Sequence, residues 1–333
     1  MSVGNQQLIV YHAAGIPEAD STGTVGGDIH ASFYRPEFAD LDVTGLVEVV
    51  SSSASDSAID VVVYTRRAGG AIQNETIQTS GTTPVPGALT CERLMKATTA
   101  GAPVGWIALM AVDNTTTGTC PSAGTTNTIV LASTASDDDD AYNNYVIRIT
   151  AGTGQYQIRR IIDYDGGTET ATVWDWDVTP DGTTVYEIAP GMVLDLEPYQ
   201  CKGVVRCFYD AAAPAAGAAN IVRYWKCHVR NCNNESPPKD FTNAKLAEVA
   251  GGLAAKVSFA IEDAVDDTND AATRITEPTD NGSWITDTTA TALQNGGILE
   301  PIMDQGFWLQ LTLASTDTAT NSQWNFSFTG QST

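Results

Sequence analysis

The chain has 333 residues, of which 42% are hydrophobic and 17% charged, and it carries 40 Asp+Glu against 17 Lys+Arg. That apolar fraction suffices for a packed core and argues against wholesale disorder. The formal charge of −23 repels phosphate backbones and anionic lipid surfaces, so neither nucleic acid nor a membrane is an expected partner.

With few charges, the solvated surface must rely on Thr, Ser, Asn and Gly, a composition that suits β-structure with many turns. In chain order, Met1–Gln7 shows neither the basic region nor the apolar run of a secretory leader, so no leader is expected. His12 and His30 follow and are weighed as catalytic bases, with ordinary strand or surface positions preferred. Ile59, Val61 and Val63 alternate with Asp60, Val62 and Tyr64, the period of a half-buried strand. Arg66-Arg67 is the first basic pair, with intrachain ion pairing or solvation preferred over a contact to another copy. Cys91–Thr98 is read as one or two helical turns. Val104–Val112 is the longest apolar run and is too short to span a bilayer as a helix.

Asp113–Thr126, rich in Thr, Gly, Asn and Pro, marks a first boundary, and Pro190 a second. Between them, strands are expected near Asn127–Ala132, Tyr145–Thr150, Gln157–Tyr164, Thr170–Trp174 and Thr184–Ile188. Asp165-Gly166-Gly167 and Asp181-Gly182 read as hairpin turns. Asp137–Asp140 invites a calcium reading, but consecutive residues of extended chain point apart, which favours a solvated loop. Asp175 and Asp177 flank Trp176, a pattern that could line a sugar groove but fits a wet strand face better. Arg159-Arg160 is the second basic pair.

Cys201, Cys207, Cys227 and Cys232 suggest a zinc site with His228 as an added ligand. Their wide spacing favours buried strand thiols instead, with Cys227 on one face with Ile221, Trp225 and Val229. Asp210–Asn220 reads as a linker or long loop, and Asn243–Leu253 as the best helix candidate despite Gly251-Gly252. Val257/Phe259/Ile261, Phe307/Leu309/Leu311/Leu313 and Trp324/Phe326/Phe328 show strand alternation, and Asp263, Asp266, Asp267 and Asp270 an exposed turn.

The fold expected is mainly β with little helix: two sandwich-like or barrel-like parts with a small β-module between them. The boundaries are 1–118 for an N-terminal β domain, 119–190 for the module and 191–333 for a C-terminal β-sandwich. No serine-hydrolase elbow, phosphate-binding loop, zincin helix or dinucleotide fingerprint occurs. No catalytic, cofactor or metal residue is therefore assigned, and no cofactor is expected.

Two stretches resemble known proteins. Thr128–Ala132, Asp140 with Tyr142, Ile147–Gly154, Gln157, Arg159, Tyr164–Gly166, Thr168, Ala171–Val173, Thr179–Asp181 and Thr184–Ile188 look like a module recurring in structural proteins of tailed bacteriophages. The chain departs from that pattern at Tyr156, where a glycine is common, and in the run Asp137–Asp140, both in turns. More loosely, Arg223-Tyr224, Val229–Asn231, Phe259–Glu262, Glu277-Pro278, Gly306–Leu309 and Phe326–Phe328 resemble a β-sandwich domain of phage virion proteins. The two regions cover about half of the chain, and neither pattern is catalytic.

The resemblance implies a non-enzymatic virion part made in the host cytoplasm. Its partners would be the major capsid protein or tail proteins together with copies of itself, as a homo-oligomer. A capsid decoration or cement protein on the head surface is the first expectation. A tail tube, adaptor, baseplate or fibre protein is the second. A virion carbohydrate-binding or hydrolase module using Trp174, Trp176 or Trp284 is the third.

Overall fold

The computed structural model describes residues 8–16, 23–36, 40–41, 44–67, 72–194, 201, 203–208, 214–233, 237–249, 256–265, 268–271, 273–279, 282–285, 290–317 and 325–332. Among the described residues, half are strand and 1% helix, which fits the mainly β expectation. The expectations for Met1–Gln7, Trp324, Asp266, Asp267 and the start of the Asp210–Asn220 linker lie outside the described residues. Among the described residues, no helix is long and apolar enough to cross a membrane.

The chain forms two compact units, Met1–Pro36 with Cys207–Thr333, and Glu37–Arg206. The second interrupts the first along the chain. This division differs from the expected boundaries at 118 and 190. Composition shifts mark where one local texture ends, whereas antiparallel pairing joins segments far apart in sequence. Leu8–Gly15 pairs with Ile221–Asn231, placing His12 opposite Cys227, 215 residues on.

Within Glu37–Arg206, two four-stranded antiparallel sheets share one core. The first runs Gly191–Leu194, Ile107–Ala111, Val47–Ser51, Val85–Pro86, and the second Gly203–Val205, Arg93–Ala100, Asp60–Arg66, Ile72–Gln78. Val47, Val49, Ile107 and Leu109 from the first pack with Val61, Val63, Leu94 and Val204 from the second. Face-to-face burial of alternate residues defines a sandwich, and each fully buried Val or Leu contributes about 1.5–3 kcal/mol. Arg93–Ala100 is thus a strand where Cys91–Thr98 suggested helical turns. Its Leu94 and Ala97 are buried in that core and its backbone is bonded on both sides.

The small β-module is inserted into the connection between two neighbouring strands of this sandwich, since Ile107–Ala111 pairs with Gly191–Leu194. Its sheet runs Thr128–Val130, Thr170–Val173, Ile158–Asp165, Val146–Ala151, Val185–Ala189, Thr116–Thr119. Five of these lie within about two residues of the expected strands. The sixth, Thr116–Thr119, forms inside the stretch read as a boundary, because its backbone completes the edge beside Val185–Ala189. Asp165–Gly167 opens a hairpin as expected, but Asp181-Gly182 does not, because Thr170–Val173 and Val185–Ala189 are not neighbours.

The turn between Val146–Ala151 and Ile158–Asp165 needs Gly152 (φ 78°), because a Cβ there would sit 2.0 Å from the Thr183 carbonyl oxygen. The module's second apolar face, Val146, Ile158 and Ala189, packs on Val50, Ala108 and Met110 of the sandwich.

The other unit holds a six-stranded antiparallel sheet in the order Val257–Ile261, Asp304–Leu313, Ile221–Asn231, Leu8–Gly15, Val25–Ile29, Asp270–Ala271. A three-stranded sheet, Thr291–Ala292, Phe241–Val249, Asn325–Ser332, lies on one face, with Phe307 and Phe328 ring centroids 5.9 Å apart. Phe241–Val249 replaces the helix expected from Asn243. Ala244 and Leu246 are buried while Asn243 and Lys245 are exposed, the period of a strand. The remainder of that expected helix, beyond Val249, lies outside the described residues. Helix is confined, among the described residues, to the single turn Gln294–Gly297.

Two outcomes follow. Because the module enters and leaves between paired strands, replacing residues 113–189 by a short turn should leave the sandwich folded, with a lowered Tm and increased binding of a hydrophobic dye at the uncovered Val50, Ala108 and Met110. Loss of cooperative thermal unfolding in that variant would count against an inserted module. The second outcome concerns acid. Asp181 accepts the Thr183 hydroxyl at 2.6 Å, the Thr183 amide at 2.8 Å and the Thr153 hydroxyl at 2.8 Å. These bonds hold its carboxyl below the ordinary range. A lowered carboxyl stabilises the fold above the unfolded value of about 4 and loses that contribution as pH falls through the folded one. Protection of the Thr183 amide, its exchange relative to the intrinsic rate at the same pH, should therefore fall on acidification below about pH 4, and Asp181→Asn should remove that fall.

Candidate functional site

Polar chemistry concentrates on the strand Ile221–Asn231, whose two faces are both buried. On one face lie Trp225, Cys227 and Val229, opposite Val10 and His12 on one neighbour and Phe307 and Leu309 on the other. The Trp225 indole N–H donates to His12 Nδ1 at 2.8 Å, and Cys227 Sγ lies 3.9 Å from the same nitrogen. Cys207 Sγ is 3.9 Å from Cys227 Sγ. Among the described residues, His12, Cys207 and Cys227 are the group of His, Cys or acidic side chains whose donor atoms converge as a metal site requires. Burial, and then the neighbouring Cys207 sulfur, hold the Cys227 thiol well above the ordinary range.

The opposite face carries Lys226 and His228. Lys226 Nζ pairs with Glu262 Oε1 at 3.2 Å, both side chains fully buried, and donates to the Asn269 carbonyl at 3.1 Å. Glu262 also accepts the Trp308 indole N–H. His228 Nδ1 meets Asp304 Oδ1 at 2.6 Å, and its Nε2 meets the Gly27 carbonyl at 3.0 Å. Gly306 makes the space: a Cβ there would lie 2.8 Å from Glu262 Cγ and 2.9 Å from Lys226 Cε. With a carboxylate and a carbonyl on its two nitrogens, His228 has no ring nitrogen left to exchange a proton with a substrate. The arrangement orders the sheet.

In the module, Arg159 is 2% exposed. Its guanidinium stacks 4.0 Å from the Trp106 ring centroid and 5.4 Å from that of Trp176. It donates to the Asp175 carbonyl at 2.7 and 2.9 Å and to Asp177 Oδ2 at 3.1 Å. Gln157 bridges the Gly154 and Val178 carbonyls and accepts the Val178 amide. These polar residues fix the loop that follows Thr170–Val173.

The sequence candidates fall as follows. The zinc reading with His228 does not hold: His228 bonds Asp304 and Gly27, Cys201 Sγ contacts the Gly203 carbonyl, and Cys232 Sγ lies 3.7 Å from the Tyr11 hydroxyl. The sulfurs that do meet are Cys207 and Cys227, and the imidazole beside them is His12. His30 stacks on Tyr34 with centroids 4.0 Å apart and accepts the Ser32 amide through Nδ1.

Trp176 is buried, with its indole donating to the Thr128 carbonyl, so its ring is no sugar platform. Trp174 meets Trp106 edge-on, while Trp284 tilts against Tyr224 and donates to Glu277. Asp175 and Asp177 are exposed on either side of Trp176, as a wet face requires, although on a loop after the strand.

The run Asp137–Asp140 folds onto the Gly166 turn. Asp139 Oδ1 accepts the Gly166 amide and Asp140 Oδ1 accepts the Asn143 amide group. Asp263 and Asp270 are exposed. Within the chain, Arg66 lies 3.7 Å from Glu92 and Arg160 donates to Asn144 at 2.5 Å, while Arg67 is exposed.

Sequence reasoning missed the Lys226–Glu262 pair. The available signal was Lys226 set between Trp225 and Cys227 within the alternating stretch Ile221–Val229. Lys226→Met alone leaves Glu262 buried and unpaired and should destabilise by about 3–5 kcal/mol in chemical denaturation, whereas Lys226→Met with Glu262→Gln should recover most of that loss. No family model, curated protein or solved structure matches the chain.

Proposed function

We propose that the chain is a non-enzymatic structural component of a tailed-phage virion, a capsid decoration or head-surface protein acting through repeated contacts with other virion proteins and with copies of itself. The observation that carries the contact role is the edge strand Ile72–Gln78. It has seven residues and one charge, with Ile72, Asn74, Thr76 and Gln78 exposed. Protected edges carry lysine, proline or bulges, whereas one of this length with none of these and a single carboxylate offers main-chain groups to a partner strand. Thr116–Thr119 and Thr128–Val130 are likewise edges of the module's sheet.

The module supports the virion part of the reading through its resemblance. Gly152, Gly154, Gln157, Arg159 and Asp181, which carry that resemblance, are the residues that shape its turns and hold its buried polar bonds. The net charge of −23 keeps free subunits apart until a basic surface neutralises it.

Immunogold labelling of particles produced from a genome encoding this chain tests the reading, with label expected on the shell. Label confined to the tail would replace decoration by a tail role, and unlabelled particles would remove the virion reading. A glycan array or reducing-sugar assay with clear signal would favour a carbohydrate-acting module instead.

A further inference from the structure

The Cys207–Cys227 pair has a chemistry that the contact role does not use. Both sulfurs are free thiols 3.9 Å apart, one partly exposed and the other buried. They lie 20 residues apart. Of the chain between them, residues 214–220 form no strand and are almost wholly exposed. Cys207 is the residue at which the chain re-enters its unit after the 37–206 insertion, and Cys227 lies at the centre of that unit's longest strand.

We propose that Cys207 and Cys227 are a modification site, where a low-molecular-weight disulfide such as oxidised glutathione converts the facing thiols into an intrachain disulfide. The partly exposed Cys207 sulfur attacks the small disulfide and releases one thiol, leaving a mixed disulfide. The buried Cys227 sulfur then attacks the Cys207 sulfur. The second small thiol departs and takes up the Cys227 proton. Two protein thiols are oxidised by two electrons, and one small disulfide is reduced to two thiols. Closing this loop restricts the unfolded chain, so the product is more stable than the dithiol.

A metal ion is the competing occupant. It has three donors, and the third, His12 Nδ1, already takes the Trp225 indole N–H at 2.8 Å. The Arg274 guanidinium, 5.1 Å from the Trp225 ring centroid, adds positive charge alongside. Both features favour the neutral disulfide. The inference is independent of the virion reading, because it concerns one subunit.

The test uses the purified, fully reduced chain treated with oxidised glutathione, followed by thiol counting, intact mass and non-reducing peptide mapping. The expected result is loss of two of the six thiols, a peptide joining Cys207 to Cys227, and a Tm that rises and returns on reduction. Cys227→Ser should halt at a glutathione adduct on Cys207, and Cys207→Ser should form neither adduct nor link at this pair. If the buried variant does not fold, the partly exposed Cys207→Ser variant still decides. Persistence of all six thiols, or a link through Cys201 or Cys232, would overturn the proposal. So would stoichiometric retention of zinc, added alone, that shields both sulfurs from the oxidant.

Discussion

Pairing of Leu8–Gly15 with Ile221–Asn231 is the interaction on which the rest of the molecule depends. It closes a loop of about two hundred residues, and the entropy of that closure grows only slowly with loop length. A whole folded unit, Glu37–Arg206, can therefore sit between the two strands. The same device recurs inside that unit, where Ile107–Ala111 and Gly191–Leu194 pair and the small module occupies the connection between them. The module leaves and re-enters between two strands held side by side by main-chain hydrogen bonds, whereas Glu37–Arg206 leaves after Val25–Ile29 and re-enters before Ile221–Asn231, the two strands that flank Leu8–Gly15.

The strand that closes the larger loop also carries three buried polar residues, Lys226, His228 and Asn231. Lys226 and His228 on one face, and Cys227 and Trp225 on the other, each meet a partner from a different neighbouring segment. Hydrophobic burial tolerates a slipped register more readily than such pairs do. A slip of one residue would turn Lys226 toward Phe307 and Leu309 and leave Glu262 without its cation. The polar groups so arranged fix which strands pair, and at what offset, in a sheet assembled from distant parts of the chain.

The proposed contact role draws on features outside this interior. An edge strand with a single charge, threonine-rich module edges and a strongly acidic surface suit a part that is made soluble and then docks. The Cys207–Cys227 pair would add a covalent closure to the unit that the insertion interrupts.

By itself the sequence determined that the protein is β-rich, where most strands of the module begin and end, and which residues alternate between core and solvent. Period-two patterns such as Val61/Val63 are local, and a pleated strand reads them directly, whereas Phe307 and Leu309 alternate with Trp308, which is buried as well. It also set Gln157 and Arg159 on one expected strand, though it did not show that Arg159 lies between two tryptophans. Tertiary structure alone decided the rest. Phe241–Val249 and Arg93–Ala100 are strands because neighbouring backbones complete their hydrogen bonds, which outweighs helix-like spacing of a few leucines and alanines. His12 joins Cys227, Lys226 joins Glu262 and His228 joins Asp304 for a related reason: pairing between strands far apart in the chain has no signature in local composition, and antiparallel register sets which side chains meet.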